Sequence, residues 1–162
     1  MTAATETNRR IDYSAVSPEA VLAVRGVEQY VRQCPLERSL IELVKLRASY
    51  INGCAYCVDM HTKDARAAGE TEQRLYGVSA WREAPYYTER ERAALEWTEA
   101  ITDIGRSRAE DEMYDRVRPH FSEQELVNLT MAIIAINGWN RLAVGFRVPA
   151  GTYQPKAAAA AR

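Results

Sequence analysis

The sequence predicts an all-α protein, with one domain of about seven helices over residues 17–150. No stretch alternates apolar and polar residues between turn dipeptides, which is the pattern of a half-buried strand. Apolar residues instead recur every three or four positions, behind residues that cap helix N-termini. The chain has 162 residues, of which 47% are hydrophobic and 27% charged, as expected for a single globular domain. We expect a disordered segment over residues 1–16 and a flexible tail over 151–162.

The first two predicted helices lie on either side of Pro35. Ser17 followed by Pro18 is a typical helix start, and apolar residues at helical spacing continue from there to about residue 33. A second helix is predicted over 36–51, because its apolar residues again share one face. Since proline interrupts a helix, the two are separate elements.

A tight corner is predicted at Asn52-Gly53. Glycine adopts the left-handed conformation after a helix without a steric penalty, so the second helix ends here. The third helix then begins at or beside Cys54 and ends at Gly69.

Four more helices follow, and their starts are marked by capping residues. Thr88 with Glu91, and Ser122 with Glu125, have the spacing of a capping box. The predicted ranges of these four helices are 71–84, 89–104, 109–118 and 123–144. The last helix is apolar around most of its circumference, so either it is the central helix or one side of it faces another subunit. The second interpretation implies a homo-oligomer. We expect its Asn137 and Asn140 to make helix-packing hydrogen bonds at a subunit contact; the alternative is that these amides satisfy buried backbone groups or reach the active pocket.

The composition favours a cytoplasmic protein that binds neither nucleic acid nor membrane. The 21 basic and 22 acidic residues give a formal net charge of -1 and interleave along the chain, so no basic surface is predicted. The N-terminal residues lack the apolar core of a signal peptide, and the run MAIIAI is too short to span a bilayer. Three cysteines, an odd number, argue against a disulfide framework, so a C-x-x-C motif indicates redox or metal-binding chemistry.

The motif NGCAYCVDMHTK places two cysteines at the start of the third predicted helix. Cys54 is expected near the N-cap and Cys57 about one turn later, where free backbone N–H groups and the helix dipole favour a thiolate. In such positions the pKa of a C-x-x-C thiol falls to roughly 3.5–7.5 from ~8.5. Sulfurs one helical turn apart can also bridge, so the pair is suited to a cycle through sulfenic acid and disulfide.

His61 follows Cys57 by four residues and therefore lies on the same helical face. An imidazole there can take a proton from a thiol, or give one to a leaving hydroxide, near neutral pH. Glu42 lies on the preceding helix, and an antiparallel hairpin would bring its carboxylate to the level of His61. A contact in which Glu42 orients His61 is therefore a hypothesis, whereas the residues alone favour an ion pair of Glu42 with Arg38 or Lys45 on its own helix.

Taken together, Glu42, the C-x-x-C pair and His61 resemble the alkylhydroperoxidase D-like (AhpD-like) core, which belongs to the carboxymuconolactone decarboxylase superfamily. The similarity covers about residues 20–150 and includes the stretches ELVKLRASYINGCAYCVDMHTKDAR and FSEQELVNLTMAIIAINGWNRLAV. The resemblance implies an all-helical fold that assembles into trimers or hexamers.

The resemblance also implies roles for the motif residues. Cys57 would attack a small peroxide and Cys54 would resolve it as a disulfide, with His61 and Glu42 as the proton relay. The reductant would be a dihydrolipoyl-bearing or other dithiol partner, and no tightly bound cofactor is implied. One position differs: AhpD proteins have a histidine directly before the second cysteine, where this chain has Tyr56. This difference implies weaker peroxidase activity or a different substrate.

Several alternatives remain open. The two cysteines and His61 could supply three zinc ligands, with the fourth from Cys34, His120 or Glu42. The cysteines could instead be inert core thiols. A non-enzymatic redox or stress sensor would use the same cysteines with little turnover. A cofactor-independent decarboxylase or hydrolase would use only His61 and Glu42, although the decarboxylase branch of the family typically lacks the cysteine pair.

Overall fold

The structure is a computed structural model that describes residues 9–155. Over this range the chain forms nine α-helices and no β-strand, so the all-α prediction is confirmed. The helices are α1 (Tyr13–Val16), α2 (Pro18–Gln33), α3 (Arg38–Ile51), α4 (Ala55–Ala67), α5 (Glu72–Gly77), α6 (Glu89–Thr102), α7 (Ile104–Ser107), α8 (Asp111–Val117) and α9 (Glu123–Gly145). Single 3₁₀ turns follow α5 (Val78–Ala80) and α8 (Arg118–His120). Within the described range, no helix has the length and apolar character needed to cross a membrane.

All seven predicted helices are present. The helix predicted from Pro18 begins and ends where its sequence indicates. Both predicted capping boxes are formed, at the starts of α6 and α9. The helix predicted over 89–104 is shorter than expected because the backbone leaves the helical conformation at Asp103, and α7 follows as a separate turn.

The N-terminal segment differs from its prediction. Residues 1–8 lie outside the described range, but residues 13–16 form α1 rather than the expected disordered chain. Asp12 caps this turn by accepting hydrogen bonds from two backbone N–H groups. Tyr13 packs against Phe146, with ring centroids 5.7 Å apart. Because this contact joins opposite ends of the chain, local composition could not predict it.

The C-terminal segment lies along α4. The Tyr153 hydroxyl donates to the Asp64 carboxylate at 2.7 Å, and Lys63 Nζ donates to the Tyr153 carbonyl at 2.9 Å. Of the tail predicted to be flexible, residues 151–155 are therefore anchored, whereas residues 156–162 lie outside the described range.

α3 and α9 form the centre of the molecule. α3 packs against α4, α6 and α9, and its buried residues occupy more than one face. The same holds for α9, in which Leu129, Ile133 and Ile136 are fully buried. The last predicted helix is thus the central one, as one of its two interpretations required. The homo-oligomer stays a prediction.

A tight turn joins α3 to α4 and sets the position of the first cysteine. Gly53 adopts the left-handed conformation with φ 63°, as the sequence predicted. The Gly53 N–H donates to the Tyr50 carbonyl at 3.2 Å, and the Cys54 N–H donates to the Ser49 carbonyl at 2.9 Å. These two hydrogen bonds form a Schellman motif, which reverses the chain and places Cys54 directly against the end of α3.

Candidate active site

Cys54 and Cys57 occupy the first turn of α4. Cys54 is the N-cap residue, and its sulfur accepts a hydrogen bond from the Cys57 backbone N–H at 3.3 Å. Each cysteine is only 1% exposed, and both pack with Ala48, Ile136 and Ala143. Neither is bridged. The structure therefore brings the two sulfurs together at the start of the helix, as their spacing predicted.

The two sulfurs favour different protonation states. The Cys57 side chain donates a hydrogen bond to Cys54, and this is the largest reason why the pKa of Cys54 is lowered to about 7. Burial opposes the shift, whereas backbone N–H groups of Cys57 and Tyr56 and the Asn140 amide reinforce it. The same sulfur–sulfur hydrogen bond, together with burial, raises the pKa of Cys57 well above its usual range. The sulfur–sulfur hydrogen bond therefore makes the pair lose its first proton more readily than a free thiol does, and it keeps the second proton between the two sulfurs.

His61 and Glu42 are in contact, as expected from the hairpin of α3 and α4. His61 Nδ1 lies 2.9 Å from Glu42 Oε2, and the imidazole is buried. Burial alone would raise the pKa of Glu42. Its hydrogen bond with His61, its electrostatic interaction with that ring and the positive charges of Lys45 and Arg38 outweigh that effect and lower the pKa of Glu42.

One of the two alternative partners of Glu42, Lys45, is engaged elsewhere. The buried Lys45 Nζ pairs with Glu28 on α2 at 2.6 Å. Since an ionised carboxylate can only accept, the Glu42 contact places a proton on His61 Nδ1. The Nε2 atom of a neutral ring is then free to accept a proton on the helical face shared with Cys57.

Three tyrosines lie near the cysteine pair, two of which the sequence did not indicate. Tyr56 packs against the cysteine cluster, and burial followed by the charges of Cys57 and Cys54 raises its pKa. Burial is also the main cause of the raised pKa of Tyr13 and of Tyr153, which reaches about 12 for Tyr153; interaction with Tyr56 adds to both. All three phenols are therefore protonated near neutral pH and cannot act as bases there.

The asparagines of the NGWNR segment bond within the chain, which corrects the expectation of a subunit contact. Asn52 Nδ2 donates to Asn137 Oδ1 at 3.0 Å and to Asn140 Oδ1 at 2.9 Å. Asn140 Nδ2 donates to Ser49 Oγ at 3.1 Å. The two amides therefore tie α9 to the turn that carries Cys54. The polar residues on an otherwise apolar helix were a signal of this, but their partner could not be identified from the sequence.

The remaining zinc-ligand candidates do not complete a metal site in the described part of the chain. Cys34 belongs to a different core cluster, and its thiol donates to the Val31 carbonyl at 3.1 Å. Between residues 9 and 155, no three side chains of histidine, cysteine, aspartate or glutamate are grouped so that they could hold a metal ion.

Comparison with known proteins agrees with this architecture. Residues 17–100 match the Carboxymuconolactone decarboxylase family. The uncharacterized protein YdfG of Bacillus subtilis is 45% identical over 137 residues, which are 85% of this chain and 93% of YdfG.

Solved structures are similar over most of the chain. ATU0492 from Agrobacterium tumefaciens is described as a protein of unknown function and a candidate antioxidant defence protein AhpD. It superposes with a TM-score of 0.87 at 51% identity, over 90% of this chain and 100% of its own. The debrominase Bmp8 has the same fold, with a TM-score of 0.76 at 18% identity over 85% of this chain and 74% of its own. The chain belongs to the carboxymuconolactone decarboxylase family and has the AhpD-like fold.

Proposed function

We propose that the protein is a thiol-dependent peroxide reductase in which Cys54 and Cys57 cycle between dithiol and disulfide. The main support is the pair of buried sulfurs at the start of α4, one helical turn from a histidine that Glu42 orients. A helix N-terminus stabilises a thiolate, and a second thiol nearby converts an oxidised cysteine into a disulfide before further oxidation. The description of ATU0492 as a candidate antioxidant defence protein is consistent with this function.

In the first step, Cys57 attacks the peroxide. Its thiol proton moves to Nε2 of His61, which lies one turn further along the same face. The sulfur then bonds to the terminal oxygen of the hydroperoxide as the O–O bond breaks. The leaving alkoxide takes the proton from His61 and departs as an alcohol. Cys57 is left as a sulfenic acid, oxidised by two electrons.

In the second step, Cys54 attacks the sulfenic sulfur of Cys57. Cys54 suits this role because the lowered pKa of its thiol favours the thiolate once Cys57 is oxidised. The S–S bond forms as hydroxide leaves, and the hydroxide is protonated to water. A dithiol reductant, for which we propose a dihydrolipoyl-bearing partner, then restores both thiols by exchange. The protonated Tyr56 takes no part as a base, so the relay consists of His61 and Glu42.

Peroxide consumption in the presence of a dithiol tests this proposal. We expect Cys57→Ser to reduce turnover to the uncatalysed background, and Cys34→Ser to retain it because Cys34 lies in a separate cluster. Cys54→Ser should consume one equivalent of peroxide and keep a sulfenic acid on Cys57, which a dione reagent traps for mass spectrometry. Wild-type turnover in Cys57→Ser would refute the proposal.

The same variants separate the other two functions. In a redox sensor, one equivalent of peroxide forms the Cys54–Cys57 bridge, but added dithiol supports no continued consumption. In a decarboxylase or hydrolase of the lactone type, both serine variants retain full turnover of a lactone, and only changes at His61 or Glu42 abolish it.

A further inference from the structure

One buried amide of α9 lies on the face that covers the two cysteines. Ile136, Asn140 and Ala143 have the spacing of a single helical face. Ile136 and Ala143 both pack against the cysteine pair, and Asn140 between them is 1% exposed. A polar side chain this deeply buried must have its hydrogen bonds satisfied within the protein.

The orientation of the neighbouring Asn137 amide is fixed by its partners. Its Nδ2 donates to the carbonyl of Ile133 at 2.9 Å, and a carbonyl can only accept. Its Oδ1 accepts from Arg141 Nη1 at 2.7 Å, and a guanidinium can only donate. Asn137 Oδ1 therefore also faces Asn52 as an acceptor, which requires Asn52 to present its NH₂ group.

Asn52 in turn fixes the orientation of Asn140. The same Asn52 Nδ2 donates to Asn140 Oδ1, so the NH₂ group of Asn140 is on its opposite side. One of its two N–H bonds is directed to Ser49 Oγ, whose own proton is donated to the Lys45 carbonyl at 2.7 Å. The second N–H bond remains available to the cysteine cluster, against which Ile136 and Ala143 of the same helical face pack.

We propose that Asn140 donates this second N–H to the charged sulfur of the Cys54–Cys57 pair and so stabilises the thiolate. The proposal rests on the proposed redox function and adds a residue to its site. The Asn52–Asn137 pair holds the amide in the donating orientation, because a flipped Asn140 would place its oxygen against the sulfur. In agreement, hydrogen bonding from Asn140 lowers the pKa of both cysteines.

The pH dependence of iodoacetamide alkylation measures this effect on the reduced protein. The wild-type pair should titrate with an apparent pKa of about 7. In Asn140→Ala we expect that value to rise by about one unit, which slows alkylation at neutral pH by about fivefold. Asn128→Ala is the matched control, since it also removes a buried amide of α9, but one that accepts from the Tyr30 hydroxyl at 2.7 Å and takes no part in orienting Asn140. Equal apparent pKa values in the two variants would overturn the proposal.

Two further measurements keep the test decisive if Asn140→Ala does not fold. Asn140→Asp retains the acceptor for Asn52 but places an oxygen beside the sulfur, and it should raise the apparent pKa more than alanine does. In the wild type, the NMR signals of the Asn140 side-chain NH₂ group should shift with the same midpoint as thiolate formation. Signals that stay constant through that midpoint would contradict the proposal.

Alkylation and NMR require no peroxide, so they do not depend on turnover. A chain that fails to reduce peroxide but shows the expected pKa difference would refute the proposed function and leave the role of Asn140 standing. The reverse result, normal turnover with no pKa difference, would refute the role of Asn140 alone.

Discussion

The hydrogen bond between Glu42 and His61 determines which nitrogen of the imidazole can act as a base. The carboxylate accepts from Nδ1, which leaves Nε2 without a proton in the neutral ring. Glu42 remains able to do this because its pKa is lowered despite its burial. The proposed proton relay therefore requires the negative charge of the Glu42 carboxylate, and a neutral side chain of the same shape would not replace it.

Glu42→Gln tests this dependence with an almost identical side chain. The glutamine amide can donate to Nδ1, which would move the ring proton to Nε2 and remove the base. We expect peroxide reduction to slow by roughly 10²-fold or more, as is typical when general acid–base catalysis is lost. Stopped-flow measurement of Cys57 oxidation gives the rate. An unchanged rate in a folded Glu42→Gln variant would show that the ring acts without its carboxylate.

At this scale, spacing predicted four candidate site residues but could not decide whether Asn140 lies near them. One face of α4 carries Cys54, Cys57 and His61 at spacings of three and four residues, so their proximity follows from the local sequence. The position of Glu42 beside His61 follows from the short turn that joins the adjacent helices α3 and α4. Asn140 approaches the sulfurs only because α9 crosses the α3–α4 turn, and the rotation of a packed helix is not encoded in spacing alone.

At the scale of elements, capping residues predicted the helices better than apolar periodicity did. Each capping box starts a helix at the expected residue, because its hydrogen bonds are local. The two helices that were not predicted, α1 and α7, have four residues each and are too short to show a period. α1 is further stabilised by the Arg10 N–H, which donates to the Phe146 carbonyl at 3.1 Å.

The C-terminal end of α9 is followed by a non-glycine residue, Arg147, in the left-handed backbone conformation, which allows the contribution of a helix cap to stability to be tested. Arg147 has φ 54°, and its N–H donates to the Val144 carbonyl at 3.3 Å, while Val148 N–H donates to Ala143 at 2.9 Å. This is a Schellman motif with arginine at the position that favours glycine. Its geometry also turns Val148 back onto the cysteine cluster.

Arg147→Gly should therefore raise the free energy of unfolding by about 0.5–1 kcal/mol, because glycine adopts a left-handed φ without steric strain. Urea denaturation of the reduced protein measures the change. Arg147→Ala is the control: it removes the same side chain but retains the Cβ, so it should give no gain. Equal stabilisation by alanine and glycine would mean that loss of the arginine side chain, and not relief of strain, is the cause.

At the scale of the whole molecule, segments near both ends of the described range lie close to the candidate site on α4. Tyr13 is held in place by packing against Phe146. Tyr153 is held by the hydrogen bond that its hydroxyl donates to Asp64 on α4. The sequence predicted disorder and flexibility for these segments because chain ends are poorly ordered unless other parts of the protein hold them. Their order comes instead from contacts with residues about a hundred positions away, which no local pattern reports.

An exposed apolar stripe on α9 is the surface that we expect to form the subunit contact of the predicted homo-oligomer. Val127 is 60% exposed and Ile134 48%, with the half-buried Met131 between them at helical spacing. Burying such a stripe against a second copy of the chain would remove apolar surface from water. We expect light scattering to give a trimer or hexamer for the wild type.

Ile134→Glu should shift that assembly to the monomer, because association would bury an unpaired carboxylate. Tyr76→Glu is the matched control, since Tyr76 is 66% exposed on α5 and away from the stripe. It should leave the molar mass unchanged. The fold itself should tolerate both substitutions, which circular dichroism can verify, because neither side chain contributes to the buried core. If Ile134→Glu retained the wild-type mass, the assembly would have to use another surface, and a monomeric wild type would refute the oligomer altogether.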